Sequence, residues 1–325
     1  MSRMTDSTST PSPAKGENSL TVILAFGANF LIAIAKSVVA FLTGSAAMVA
    51  EAAHSWADTG NEVFLLVGER RAQRAADVSH PLGYGRSGYV WSMFAAFGLF
   101  AVGSAVSVWH GIQSLNAPEE ETSYLWAYIV LAVAFVLEGA SFLQAYREAR
   151  TKAAERDESI LAHVKYTSNP MLRSVFVEDS LALIGLVIAA LGLFLHQQTG
   201  DPVWDAVASI LVGVVLGVGA IVLISRNAHF LTGEATSERG RNHLLTLILG
   251  HPNVESVSFL HTQWIGADSV LVIATVDLVG DVPESRLQVL LQQVEDEVEK
   301  VPEVSRAILG LTNPRNTDRL TMAEG

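Results

Sequence analysis

Residues 51–62 read EAAHSWADTGNE, and they lie inside an apolar run, residues 46–67, that is long enough to cross a bilayer as a helix. On a helix, residues three and four apart share a face, so Glu51, His54, Asp58 and Asn61 or Glu62 form one polar stripe. Acids and an imidazole at membrane depth are costly unless they face a bundle interior and hold something. His54 and Asp58, four residues apart, can offer a ring nitrogen and a carboxylate oxygen to one divalent cation. The stripe is the expected active centre, and the expected fold around it is an all-α membrane bundle.

The rest of the chain agrees with that class. Its 325 residues are 50% hydrophobic and only 17% charged, less charge than a soluble protein of this size carries. The net charge of −12 argues against nucleic acid as a partner, since nucleic acid binds a basic face. There is no cysteine, so any metal site must use His, Asp, Glu, Asn or backbone oxygen. Residues 1–18, rich in Ser, Thr and Pro, are expected to be a disordered tail and not a cleaved signal peptide.

Six blocks then approach the roughly 20 apolar residues that a spanning helix needs: residues 20–42, 46–67, 89–112, 124–145, 171–195 and 203–225. The connections at 44–45, 113–123 and 196–202 contain no Lys or Arg. Those after the second and fourth blocks carry Arg70, Arg71, Arg74 and Arg86, and Arg147, Arg150, Lys152, Arg156 and Lys165. By the positive-inside rule the basic connections are cytoplasmic. Both termini are then cytoplasmic, and the protein is expected in the lipid bilayer of a bacterial plasma membrane.

With this orientation the membrane acids can be placed by depth. At 1.5 Å per helical residue, Asp58 lies roughly 16–18 Å below the outer end of its helix, and Glu138 roughly 20 Å below the outer end of the fourth. Asp179, on a helix entering from the cytoplasm, lies roughly 10–12 Å from the inner end. All three approach the midplane, which reads as a binding site. Glu178 is about 100° around the helix from Asp179, so the two are not expected to point fully into one site. It is a candidate second ligand, proton carrier or salt-bridge partner. Glu138 is a candidate fourth ligand or proton carrier, or else the partner of Lys36 on the first helix. The HPLGYGR segment from His80 to Arg86, and the small stripe Gly213, Gly217 and Gly219, read as structural. So do His243, His251 and His261.

Beyond residue 226 the pattern changes. Residues 238–249 read as a helix, 254–264 and 270–278 as strands, 283–300 as an acidic amphipathic helix and 304–311 as a last strand, with a hairpin turn at Gly266 and Ala267. The order αββαβ fits a small open ferredoxin-like sheet with helices on one face. The expected division is a tail (1–18), a six-helix transport domain (19–226), a cytosolic dimerisation domain (227–312) and a flexible end (313–325).

In GSAAMVAEAAHSWADTGNE, in HPLGYGRSGYVWS and in Asp179, together with six helices and the αββαβ end, the chain resembles the cation diffusion facilitators, a family of divalent metal/proton antiporters. The resemblance covers nearly all of residues 20–311. It implies a homodimer with a tetrahedral transport site between the second and fifth helices, which would include His54, Asp58 and Asp179. Two positions depart from the family pattern. Val175 stands where a His or Asp usually precedes the fifth-helix aspartate by one turn. The closing strand, AILGL, lacks the histidine and acid that many members use for cytosolic zinc. The VFVEDSLALIG wording, with Glu138 in EGASF, is similar to the branch that includes the mammalian zinc transporter nine type.

The function expected is a secondary transporter, not an enzyme, that exports a divalent cation in exchange for protons and keeps no permanently bound cofactor. Metal binding needs neutral imidazole and ionised carboxylates, so metal and proton compete, and an imidazole changes charge near neutral pH. A nitrogen donor beside carboxylates favours Zn2+, with Mn2+, Fe2+, Co2+ and Ni2+ as alternatives. The rival readings are an intramembrane metalloenzyme that activates water and a metal-sensing membrane scaffold.

Overall fold

The structure, a computed structural model, describes residues 19–115, 124–313, 315–316 and 318–322. The expected N-terminal tail lies outside the described residues, as do most of the 113–123 connection and parts of the expected flexible end. The helices are α1 (Ser19–Thr43), α2 (Ala46–Ala72), α3 (Ser87–Gly98), α4 (Ala105–Ser114), α5 (Tyr124–Glu155), α6 (Ile160–Tyr166), α7 (Pro170–Thr199) and α8 (Val203–Thr232). They are followed by α9 (Glu238–Leu249), β1 (Val254–Gly266), β2 (Ser269–Leu278), α10 (Glu284–Val298) and β3 (Val304–Leu311).

Among the described residues, five helical stretches are long and apolar enough to cross a membrane: Phe26–Thr43, Ser87–Ser114, Tyr124–Glu155, Pro170–Thr199 and Val203–Thr232. Where the sequence suggested six blocks, this measure leaves out α2. The reason is the stripe itself, since Glu51, Asp58 and Glu62 put three charges into its apolar run. In the fold α2 is nonetheless a central helix, packed against α1, α3, α7 and α8.

Local chemistry explains the helix ends. Ser45 caps α2 by accepting from the Met48 amide (3.1 Å). Asp205, on α8, then takes the Ser45 hydroxyl (2.8 Å) and the amides of Ala46 and Ala47, so a buried acid on one helix satisfies the free N–H groups of another. Asn169 caps α7 by accepting from Met171 and Leu172, with Pro170 in the first turn. α3 and α4 are not one regular helix as expected from 89–112. A π-helical stretch, Leu99–Ser104, joins them, where the chain lies against α2 and α8. Gly213 and Gly217 permit that closeness: a Cβ on them would meet Ser104 O at 2.9 Å and Ser104 Oγ at 2.7 Å.

The C-terminal sheet has the order β1-β2-β3, with β1 and β2 antiparallel (Val257 opposite Val276) and β2 and β3 parallel (Val270 opposite Val304). Leu244, Leu245 and Ile248 of α9, and Val294 and Val298 of α10, close its core. The hairpin turn falls at Ala267–Asp268, one residue later than expected. Asp268 takes the positive φ of 50°, which a short polar side chain tolerates. Gly266 stays in the strand and lies against Gly85 of the α2–α3 connection, where a Cβ would be 2.8 Å from Gly85 Cα.

This core reaches up into the helical bundle. Tyr89 of α3 and Phe230 of α8 are buried in it and stacked, with ring centroids 5.0 Å apart. The Tyr89 hydroxyl donates to Ser168 O (2.9 Å), and the Ser168 hydroxyl accepts from the Asp268 amide (3.1 Å). Arg173 lies over Phe230 and donates to Thr167 O (2.8 Å) and Asn227 Oδ1 (2.6 Å). α8 runs to Thr232, and Phe230 in its last turn is buried in the sheet's own core.

Candidate functional site

The stripe on α2 meets its counterparts in one small cavity. It has a volume of about 90 Å³, and its walls carry Asp58 and Glu62 from α2, Glu138 and Ser141 from α5, Glu178 and Asp179 from α7, and Asn29 from α1. That volume is several times the roughly 10–15 Å³ that one water needs. Val175 is in the wall too, so the position one turn before Asp179 faces the cavity without offering a donor.

The anticipated residues fall into three groups. Asp58, Glu138, Glu178 and Asp179 share the cavity. Glu178 and Asp179 both line it. Asp179 accepts a hydrogen bond from Ser141 Oγ at 2.7 Å. One Asp58 oxygen, Oδ1, is buried without a partner.

His54 forms the second group. It is wholly buried with no hydrogen bond on either ring nitrogen. Its Nε2 lies 3.4 Å from Asp58 Oδ2, beside the acid and not in the cavity wall. Among the described residues no three His, Asp or Glu groups are drawn together tightly enough to hold a metal ion in this conformation.

The third group is the set of charges paired off. Lys36 is wholly buried, with its ammonium 2.9 Å from Glu51 Oε2 and 3.1 Å from Glu138 Oε1. The pairing of Glu138 with Lys36 is therefore present, and Glu138 still lines the cavity.

Sequence reasoning gave no ligand role to Glu62, Asn29 or Ser141. Glu62 belonged to the stripe but not to the candidate ligands, and Asn29 donates to it at 2.5 Å. Ser141, three residues after Glu138, shares its face of α5. That spacing was the available signal.

Two other features take nothing from this site. Asp77 is enclosed by its own loop, accepting from Ser79 Oγ (2.7 Å), Tyr84 OH (2.7 Å) and the amides of His80 and Ser79. These bonds, with the serine's first, hold its carboxyl well below the usual carboxylate range. His80 stacks on Tyr84 with centroids 4.0 Å apart, so the HPLGYGR segment is a self-satisfied turn. A larger cavity, about 710 Å³, opens between the end of α5, α9 and α10. Its wall mixes apolar side chains (Leu244, Leu247, Trp264, Val301) with charges of both signs, and among the described residues no three His, Asp or Glu groups there are grouped to hold a metal ion.

Against known proteins, the model of the cation efflux transmembrane domain matches residues 22–231. The chain belongs to the cation efflux family. This member is 34% identical over 259 residues to metal tolerance protein C4 of Arabidopsis thaliana, covering 80% of this chain and 57% of the relative. It is 33% identical over 261 residues to the mitochondrial proton-coupled zinc antiporter SLC30A9 of Homo sapiens, covering 80% and 46%. A more distant relative is magnetosome protein MamB of Paramagnetospirillum magneticum, 21% identical over 244 residues and covered to 77%. The chain spans about half the length of the first two relatives.

Proposed function

We propose that this cation efflux family member is a secondary transporter, not an enzyme, that exports a divalent transition-metal cation, Zn2+ before Mn2+, Fe2+, Co2+ or Ni2+, in exchange for protons. The observation that carries the reading is the carboxylate-lined cavity inside the helical bundle, to which α2, α5 and α7 each contribute an acid. Buried carboxylates without a cation are costly, and the ones here are matched by a single buried lysine. A divalent cation or protons must supply the remaining positive charge, and the two exclude each other. The relatives' printed names, a zinc antiporter and a metal tolerance protein, run the same way.

In this reading Asp58 and Asp179 are the principal ligands. His54 joins them by a modest turn of its ring about the 3.4 Å contact with Asp58. Glu138 or Glu178 supplies the fourth donor that tetrahedral zinc wants, in place of Val175. Six helices span the bilayer, α2 included, since its acids face inward. The basic connections put both termini in the cytoplasm, and we take the membrane to be a bacterial plasma membrane. The transport domain (19–226) is followed by a cytosolic ferredoxin-like αββαβ domain (227–312) that pairs two copies into a homodimer.

The test is uptake by the full chain in proteoliposomes carrying a pH gradient, across a panel of metals. Asp58→Ala and Asp179→Ala should abolish metal-dependent proton flux while leaving the melting profile in detergent near that of the parent. Normal uptake by either variant would remove that residue from the site. Proton flux that ignores metal would remove the antiport mechanism.

A further inference from the structure

The buried lysine has more partners than its charge requires. One carboxylate neutralises an ammonium, yet Lys36 binds two, from two different helices, at 2.9 and 3.1 Å. The two carboxylates are not equivalent. Glu51 is wholly buried and is not part of the cavity wall. Its second oxygen has no partner and is pressed against α7, where a Cβ on Gly185 would come within 2.9 Å of it. Glu138 does line the cavity, and its second oxygen, Oε2, has no partner. Glu51 is therefore the standing counter-ion of Lys36. Glu138 is held by one oxygen and leaves one to spare.

We propose that Lys36 is a positioning residue that sets the metal specificity of the site, by holding Glu138 as a one-oxygen donor to the transported cation. The idea rests on reading the cavity as the transport site and adds what decides the choice among metals. A carboxylate that can turn both oxygens to a metal raises the coordination number and suits larger, harder ions with many oxygen ligands. A carboxylate with one oxygen tied to an ammonium cannot chelate, and the donor set stays small, as tetrahedral zinc requires. The tie also joins α1, α2 and α5 at the level of the cavity, so Glu138 is presented from a fixed place.

The experiment compares initial uptake rates for Zn2+ and Mn2+ by proteoliposomes of the parent, Lys36→Met and Lys36→Arg, giving kcat and KM for each ion. Outer partners of metal ligands typically change affinity 10–100-fold. In Lys36→Met the Zn2+-to-Mn2+ ratio of kcat/KM should accordingly fall by roughly tenfold or more, mainly through KM. Lys36→Arg, which keeps the charge and the hydrogen bonds, should retain most of the parent's ratio. If Lys36→Met does not fold, Lys36→Met/Glu51→Gln, which removes one charge of each sign, carries the same comparison with the same expected fall. A transporting Lys36→Met or double variant with the parent's ratio overturns the proposal. So does an arginine variant that shifts as far as the methionine one, because packing and not the charge would then be responsible. A parent protein that moves neither ion would instead sink the transport reading, which keeps the two failures apart.

Discussion

Ser141→Ala tests the site through a residue that is not itself expected to touch the metal. The Ser141 hydroxyl donates to Asp179 Oδ2 at 2.7 Å, within the range of charge-assisted O–H···O− bonds. Such a bond is worth roughly 1.5–3 kcal/mol when buried. The lower end of that range corresponds to about 1.5 kcal/mol, or tenfold in Kd. The bond occupies Oδ2 and leaves Oδ1 for the cation. Without it the carboxylate can rotate, and part of the binding energy goes into fixing it again. Zn2+ affinity in Ser141→Ala should therefore weaken by about tenfold, the low end of what outer partners of metal ligands contribute. Ser141→Thr, which keeps the hydroxyl, should stay near the parent. The assay is titration calorimetry on protein in detergent, with a melting curve as control. A parent-like Kd in Ser141→Ala would show that Asp179 is not oriented by this bond, or is not a ligand. An equal loss in the threonine variant would assign the effect to packing.

Four more expectations follow from the same geometry. His54→Asp should keep some transport but move preference from Zn2+ towards Mn2+, as a harder oxygen donor replaces the imidazole; an unchanged metal ranking in vesicle uptake would put His54 outside the metal's ligands. Glu138→Gln should weaken metal binding more than Glu178→Gln, measured by calorimetry at two pH values, and the reverse order would make Glu178 the fourth donor. Asp205→Ala leaves the Ser45 hydroxyl and the first amides of α2 without their buried acceptor, so it should lower stability by about 2 kcal/mol; an unchanged melting curve in detergent would show that water replaces the carboxylate. His163 is held below the ordinary histidine range, first by burial and then by Arg156, so the fold favours its neutral form. Its contribution to stability is complete above about pH 6.5 and is lost as pH falls below that towards the folded value. Melting temperature should drop on acidification through that window, and His163→Gln should flatten the drop.

The residues that periodicity could reveal were those whose chemistry clashes with their surroundings. Acids spaced by turns in apolar helices are costly, so Asp58, Glu138 and Asp179 stood out, and simple rise-per-residue depths brought them to one level, where the cavity lies. The direction in which a stripe opens is a different matter. Glu51, His54 and Asp58 share one face of α2, yet Glu51 turns to Lys36, His54 lies beside the cavity and only Asp58 lines it. Which way each points depends on the neighbours' backbones, such as the space left at Gly185. Ser141 and Asn29 are neutral, so the cost of a charge in the membrane did not mark them, and only the three-residue spacing of Ser141 from Glu138 hinted at a shared face. The π-helical stretch in 99–104 was not foreseen either; it lies where the chain packs against α2 and α8. The bounds of the strands were legible to within a residue or two. The turn moved by one because Asp268 could take the left-handed conformation while Gly266 was needed for the close approach to Gly85.

The long helix α8 has a mechanical consequence. Thirty residues make a rod roughly 45 Å long. One end is bolted by Asp205 to the start of the helix that carries His54 and Asp58, and the other is sunk in the sheet through Phe230. A rod fixed at both ends cannot rock by itself. If the cavity is to open first to one side of the membrane and then to the other, any tilt of α8 must swing the sheet as a lever arm, and a sheet held still must stiffen the bundle. The grip of the C-terminal sheet on Phe230 thus ties the movement of either part to that of the other.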